Sequence, residues 1–256
     1  WQIGEAAYLA EALSCPVVAD FRPSDLALGG QAAPLVAYPD LLLYGEEGVR
    51  RALHNLGGIS NVTYLDGLEA SRLLAFDTGP GNCLLDEAAA RLGHSHDPAG
   101  SLARTGQINQ EKLSSWLAHP FFSQPPPKST GREVWRLDSL ATEGMSAYDL
   151  LATLTELTAK SIANAYQQFL LPRGLDQVWI GGGGAYNQFL VERIRQALPV
   201  PVFTFEEKGL DSRVREALAF AVLGYLRFHQ LPNVLSVVTG ARRDAVAGKL
   251  VLPGKR

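Results

Sequence analysis

Leu73-Leu74-Ala75-Phe76-Asp77-Thr78-Gly79-Pro80-Gly81-Asn82 sets the frame for this chain of 256 residues. The apolar head reads as a buried strand, Asp77 to Asn82 as a glycine turn, and the run to about residue 92 as a helix. Asn82 stands where an N-cap belongs, and Asp86 and Glu87 fall near the first turn, where the helix dipole favours acid. Strand, glycine turn and helix form the repeating unit of an α/β fold, whose ligands bind at the carboxyl ends of the strands.

Working outward, the same grammar recurs. Residues 51–65 are two apolar runs around Gly57-Gly58, a strand, a bend and a strand. A strand at 178–180 enters Gly181-Gly182-Gly183-Gly184-Ala185-Tyr186-Asn187 and leaves as a helix over 187–198. Further strands are expected at 17–21 and 200–205, and further helices at 110–118, 137–141 and 214–228. The longest helix opens on Ser146-Ala147-Tyr148-Asp149, a capping box, and ends at Pro172. Leu150, Leu154, Leu157, Ile162, Ala165 and Phe169 mark its buried face.

Composition narrows the function classes. Hydrophobic residues make up 46% and charged residues 19%, ordinary for a globular protein. Basic and acidic side chains number 23 and 26, so no basic field draws nucleic acid or an anionic membrane. No apolar run reaches the roughly 20 residues of a membrane span. The amino terminus carries no basic leader, and Cys15 and Cys83 read as core thiols of a reducing compartment, so a cytoplasmic location is expected. The five histidines show no metal spacing with cysteine, and no metal site is assigned.

Three segments place glycines beside strands: 55–61, 77–82 and 181–187. Glycine admits close backbone approach, and exposed amides at such turns attract anions. Taken singly, each loop reads equally well as a tight turn; three in one α/β chain favour a nucleotide. No Walker-type phosphate loop occurs, and Gly79-x-Gly81-x-x-Leu84 lacks the third glycine of a dinucleotide fingerprint. Paired phosphate hairpins with an adenosine-side loop are the arrangement of the actin-like, sugar-kinase ATPases.

Asp77 is the leading catalytic candidate, as a general base or as a holder of metal through water. The competing reading, a cap for the next helix, is a duty Asn82 can take. Glu216 binds sugar hydroxyls or is simply a first-turn glutamate, with the second reading ahead on sequence grounds. Arg22 pairs a substrate carboxylate or a neighbouring Asp20 or Asp25. The polar string Lys128-Ser129-Thr130-Gly131-Arg132-Glu133 is equally a functional loop and a surface connection.

These strings, with Gly29-Gly30-Gln31-Ala32-Ala33-Pro34 and Thr239-Gly240-Ala241, occur in the order found in anhydro-N-acetylmuramic acid kinases, and the chain resembles that family from Gln2 to its last residues. The resemblance implies a ribonuclease H-like, actin-like sugar-kinase fold, two lobes around a cleft. It implies an enzyme that uses ATP with Mg2+, and water, to open 1,6-anhydro-N-acetylmuramic acid and phosphorylate the freed 6-oxygen, giving N-acetylmuramic acid 6-phosphate for peptidoglycan recycling. Asp77 matches the catalytic aspartate and Glu216 a substrate-binding glutamate, with Arg22 kept as a second substrate contact. Gly57, Gly58, Asn61, Gly79, Gly81, Asn82, Gly182, Gly183 and Asn187 match the nucleotide side.

A homodimer is also implied. Two departures stand out. Ala32 replaces a family glycine, and the family's opening phosphate hairpin has no counterpart string. The first lobe is therefore expected to be incomplete, with residues 1–30 its remnant, 31–232 the second lobe and 233–256 a terminal segment. Activity is then expected to need an upstream segment, and a non-catalytic nucleotide- or sugar-binding module of the same fold is the alternative.

Overall fold

The computed structural model describes residues 4–254. In chain order its elements are α1 (Ala6–Leu13), β1 (Val17–Ala19), α2 (Arg22–Ala27), α3 (Ala37–Tyr44), β2 (Arg50–Leu56), β3 (Ile59–Asp66), β4 (Leu74–Pro80) and α4 (Cys83–Ala90). There follow α5 (Gln110–Leu117), α6 (Ala147–Ala165), β5 (Gln177–Gly181), α7 (Gln188–Ala197), β6 (Val202–Thr204), α8 (Arg215–Phe228), α9 (Ser236–Thr239) and β7 (Lys249–Val251). Among the described residues they gather into two compact units, one of 48–67 and 75–213, the other of 4–47, 68–74 and 214–254.

The first of these units is built on a mixed sheet in the order β4-β3-β2-β5-β6. Apolar runs on both sides of Gly57-Gly58 pair as an antiparallel hairpin, with Leu56 opposite Ser60 and Asn55 opposite Asn61. β2 then pairs in parallel with β5, and β5 with β6. Being central, β2 is covered on both faces, and five of its seven residues are buried although Arg51 and His54 are among them. α6 supplies the largest share of the core: Leu150, Leu154, Leu157 and Ile162 are all sealed from water. Its start is fixed by Ser146, whose Oγ accepts the Asp149 N–H at 3.1 Å. Past Ala165 the helix widens into a π turn over Tyr166–Leu170 before Pro172.

A buried polar chain ties the strands together. The His54 ring lies 3.1 Å from the Tyr166 hydroxyl through Nδ1 and 2.7 Å from Ser60 Oγ through Nε2. Ser60 Oγ is in turn 2.7 Å from Thr78 Oγ1. Neighbouring residues of a strand face opposite sides of a sheet, so anchoring Thr78 on one side aims Asp77 to the other.

In the other unit β1 and β7 pair antiparallel, and Phe21, Leu35, Leu223, Val234, Ala245 and Ala247 form its apolar centre. Asp25, fully buried, accepts the Ala32 N–H and the Thr239 hydroxyl, both at 2.7 Å. Arg215 of α8 grips Asp40 of α3 through two bonds, Nε to Oδ1 at 3.2 Å and an Nη to Oδ2 at 2.6 Å.

Several expectations change. The compact units do not divide at residues 30 and 232: residues 31–47 and 214–232 pack with both ends of the chain, because Asp40 of α3 pairs with Arg215 of α8 and because Leu35 and Leu223 join the Phe21 cluster. Residues 1–3 and 255–256 of the expected end segments lie outside the described residues. The expected helix at 137–141 is a single 3-10 turn, Leu137–Ser139. Cys15 is exposed, on the turn that ends α1, whereas Cys83 is buried as expected.

Removing one partner of the Asp40–Arg215 pair leaves a buried charge without its counter-ion. Asp40→Ala is expected to cost about 3–5 kcal/mol of stability, measured by urea unfolding, while an apolar replacement of both residues costs much less. A single-variant loss no larger than the double would show the pair is not what binds α3 to α8.

Candidate active site

Asp77 lies within β4 and not just beyond it, because the strand runs on through the glycine and proline to Pro80. Its Oδ2 accepts the Thr130 N–H at 2.8 Å, and its own N–H donates to the Lys128 carbonyl at 3.1 Å. Among the described residues Oδ1 has no hydrogen-bond partner. Burial pushes the Asp77 carboxyl above the ordinary aspartate value, with the Thr130 N–H and the Lys128 charge pulling the other way. The polar string 128–133, undecided from sequence, thus belongs to the site.

Lys128 is itself nearly sealed. Its Nζ donates to the Phe121 and Phe122 carbonyls at 3.1 and 3.4 Å and lies 4.7 Å from the centre of the Phe121 ring. Burial lowers its pKa, and the nearby Asp77 raises it again. Trp135 closes the loop, donating to Thr130 Oγ1 at 2.9 Å while its ring stacks on Phe122 at 5.2 Å. The sequence signal for this loop was its density of polar groups after three prolines; only the fold shows what it faces.

The glycine loops converge at the end of β2. Gly57 and Gly58 turn their carbonyls to the start of α4, taking the N–H groups of Asn82 at 2.8 Å, Gly81 at 3.0 Å and Cys83 at 3.1 Å. A Cβ on Gly81 would collide with the Gly57 carbonyl oxygen, so this approach demands glycine. Asn82 occupies the N-cap position, yet its side chain does not cap: Nδ2 donates to the Leu56 carbonyl at 3.1 Å. The expected capping role is corrected accordingly, and the amides expected to meet phosphate at Gly81 and Asn82 are engaged within the protein.

On the other side of Leu56, Gly182 adopts φ +85° against the Asn55 side chain and the Leu56 carbonyl. Asn187 caps α7, accepting the Leu190 N–H at 3.0 Å. Gly79 packs on Phe122, Gly58 lies under the Arg132 guanidinium, and Asn61 sits on β3 opposite Asn55. Gly183 alone among these glycines has room for a side chain, its nearest neighbour being Asn82 Nδ2 at 3.8 Å. It borders a cavity of about 450 Å³ lined by Asn82, Asp86, His96, Gly183, Tyr186 and Asn187, among others.

Arg22 and Glu216 belong to the other unit. Arg22 Nη1 donates to the Ala32 carbonyl at 2.5 Å, so part of its guanidinium holds its own unit rather than Asp20 or Asp25. Ala32 takes φ +54°, a conformation in which a side chain is strained. Glu216 stands exposed in the first turn of α8, its carboxylate without a hydrogen bond among the described residues. Among the described residues no three His, Cys, Asp or Glu side chains gather to hold a metal ion, and no helix is long and apolar enough to cross a membrane.

A family model described as anhydro-N-acetylmuramic acid kinase matches residues 1–253. Kinases of that name are similar in sequence: that of Cyanothece sp. (strain PCC 7425 / ATCC 29141) is 43% identical over 97% of this chain and 70% of its own length. That of Synechococcus elongatus is 44% identical over 96% and 69%, and that of Bacillus cereus (strain G9842) 40% identical over 98% and 69%. Among solved structures, the activator of the 2-hydroxyisocaproyl-CoA dehydratase from Clostridium difficile, with bound ADPNP, superposes with a TM-score of 0.50 at 16% identity, covering 77% of this chain and 67% of that one. At that identity the likeness speaks for the fold alone, the α/β arrangement of the actin-like ATPases.

Gly81 and Gly183 separate packing from ligand approach. Gly81→Ala is expected to cost about 1–3 kcal/mol in chemical unfolding, as overpacking against backbone does. Gly183→Ala is expected to stay within about 0.5 kcal/mol of the parent, like substitutions away from packed features. Equal losses would show that the hairpin contact is not as tight as the geometry has it.

Proposed function

The chain belongs to the anhydro-N-acetylmuramic acid kinase family, and from that premise we propose that Asp77 is the general base of its reaction. The enzyme is a phosphotransferase that opens 1,6-anhydro-N-acetylmuramic acid and phosphorylates it, a step of peptidoglycan recycling. The similarity to kinases of that name favours this over a binding module without turnover. The observation that carries the role of Asp77 is its carboxylate, held by Thr130 through one oxygen and unpartnered at the other.

In this reading Oδ1 takes a proton from a water molecule as its oxygen attacks the anomeric carbon. The bond from that carbon to the bridging oxygen breaks, and the electron pair stays on the sugar's 6-oxygen. That oxygen attacks the γ-phosphorus of ATP, and ADP leaves. A carboxylate whose pKa is raised by burial is a stronger base than a free one. The Lys128 charge favours the ionised form of Asp77 against the effect of burial, and Glu216 and Arg22 are assigned to the sugar.

The nucleotide is assigned to the cavity bordered by Asn82, Gly183 and Asn187, whose volume is in the range of small-molecule sites. Gly57, Gly58, Asn61, Gly79, Gly81 and Gly182 support it from behind by close packing. With no three-ligand cluster among the described residues, Mg2+ fits as an ion carried on the nucleotide's phosphates and water, where it neutralises charge. A cytoplasmic homodimer completes the reading.

Two variants test it. Asp77→Asn still accepts the Thr130 N–H but cannot take a proton, so turnover is expected to fall by about 10²–10⁴. Its thermal midpoint should hold or rise, since burial penalises the charge that is removed. Retained activity in this variant would falsify the role.

For Lys128→Met the sign follows from the removed charge. Activity of the parent falls as the pH drops through the raised Asp77 value, and loss of the cation raises that value further. The acid limb of the kcat/KM profile should therefore move to higher pH. An unmoved limb would separate Lys128 from the base.

A further inference from the structure

Asn82, Leu85 and Asp86 follow the i, i+3, i+4 spacing of one helix face, and all three line the cavity at the start of α4. Most polar groups around that cavity already have partners. Asn82 Nδ2 is bonded to the Leu56 carbonyl, and Asn187 Oδ1 caps α7. Asp97 accepts the Leu102 and Ala103 N–H groups at 2.8 and 3.0 Å, and His96 Nδ1 meets Ser95 Oγ at 3.0 Å.

Asp86 differs. Half-buried, it has no hydrogen bond to its carboxylate from any described residue. The charges it feels are His96 and Arg132, and burial is the largest influence on it. A carboxylate only accepts hydrogen bonds, so what it lacks is a donor.

Across the same cavity stands Tyr186, an aromatic ring left about half exposed. Its hydroxyl donates to Glu206 Oε1 at 3.0 Å, and Glu206 is held in turn by the Ser212 hydroxyl at 2.6 Å. The ring is thus held at its tip while about half of the residue stays exposed. A fixed aromatic face and an unpartnered carboxylate in one cavity match the two ends of a nucleoside: a flat base to stack and a ribose diol to donate.

We infer that Tyr186 carries the base and Asp86 the ribose hydroxyls of the nucleotide, making them specificity determinants of the kinase. This rests on the assignment of the nucleotide to this cavity. Two hydroxyls side by side suit the two oxygens of a carboxylate, as in other ribose-binding acids. The loop 96–99 closes the third side without offering a further free acid.

The test compares ATP with 2′-deoxyATP as phosphoryl donors for the purified protein, using steady-state kinetics on anhydro-N-acetylmuramic acid. The parent should favour ATP. Asp86→Asn should raise the KM for ATP by about tenfold, the scale of one hydrogen bond to a charged group, and abolish the preference, with the sugar KM unmoved. Tyr186→Ala should raise both nucleotide KM values alike, and Tyr186→Phe, which keeps the ring, should raise them far less.

An Asp86→Asn enzyme that still discriminates, or one whose sugar KM rises instead, overturns the inference. Should the parent not turn over, binding alone decides the inference. Calorimetry with ADP and 2′-deoxyADP then reads the same pocket directly, and equal affinities for the two in the parent would count against Asp86.

Discussion

Three backbone hydrogen bonds hold this site in place, those from Gly81, Asn82 and Cys83 to the carbonyls of Gly57 and Gly58. They join the bend of the β2–β3 hairpin to the first turn of α4, and they form only because nothing but hydrogen projects from Gly81. A helix start ordinarily leaves such amides for a cap, water or an anion. Here the hairpin satisfies them, which frees the Asn82 side chain to bind Leu56 and brings the Gly182–Gly184 turn against the same residue. Through Leu56, β2 becomes the point from which all three glycine loops are positioned.

Asp77 depends on a different device. On one side of the sheet Thr78 is bonded into the sealed chain of Ser60, His54 and Tyr166. On the other, Thr130 and the Lys128 carbonyl hold the aspartate by its carboxylate and its amide. Lys128 is itself buried under aromatic rings, with its ammonium on two backbone carbonyls. A low-dielectric surrounding makes each of these charges costly alone and effective together. The strand is fixed from behind, and one oxygen of the carboxylate has no hydrogen-bond partner among the described residues.

Burial separates two kinds of glycine that the sequence writes in the same letter. Gly81 and Gly182 lie where a methyl group would strike backbone, so their absence of a side chain serves packing. Gly183 faces a cavity with open space beyond it. The unpartnered Asp86 and the locked Tyr186 share that cavity, whereas Asn187, first read as a ligand residue, has its oxygen engaged by its own helix. Counting glycines in a motif does not distinguish these cases; the distances around each one do.

Local pattern was enough for the alternation of strands and helices, the hairpin around Gly57-Gly58, the capped start of α6 and the prominence of Asp77. Each is written in the spacing of apolar residues or in a short-range cap, forces that act within a few positions. The family, too, was legible from the order of its strings. Contacts across 53 positions, such as Asp77 with Thr130, were not. Nor were the grouping of residues 31–47 with 214–232, the exposure of Cys15 and the loss of the Asn82 cap to Leu56. Such features depend on which distant surfaces meet, and a one-dimensional string carries no distance between residues far apart along it.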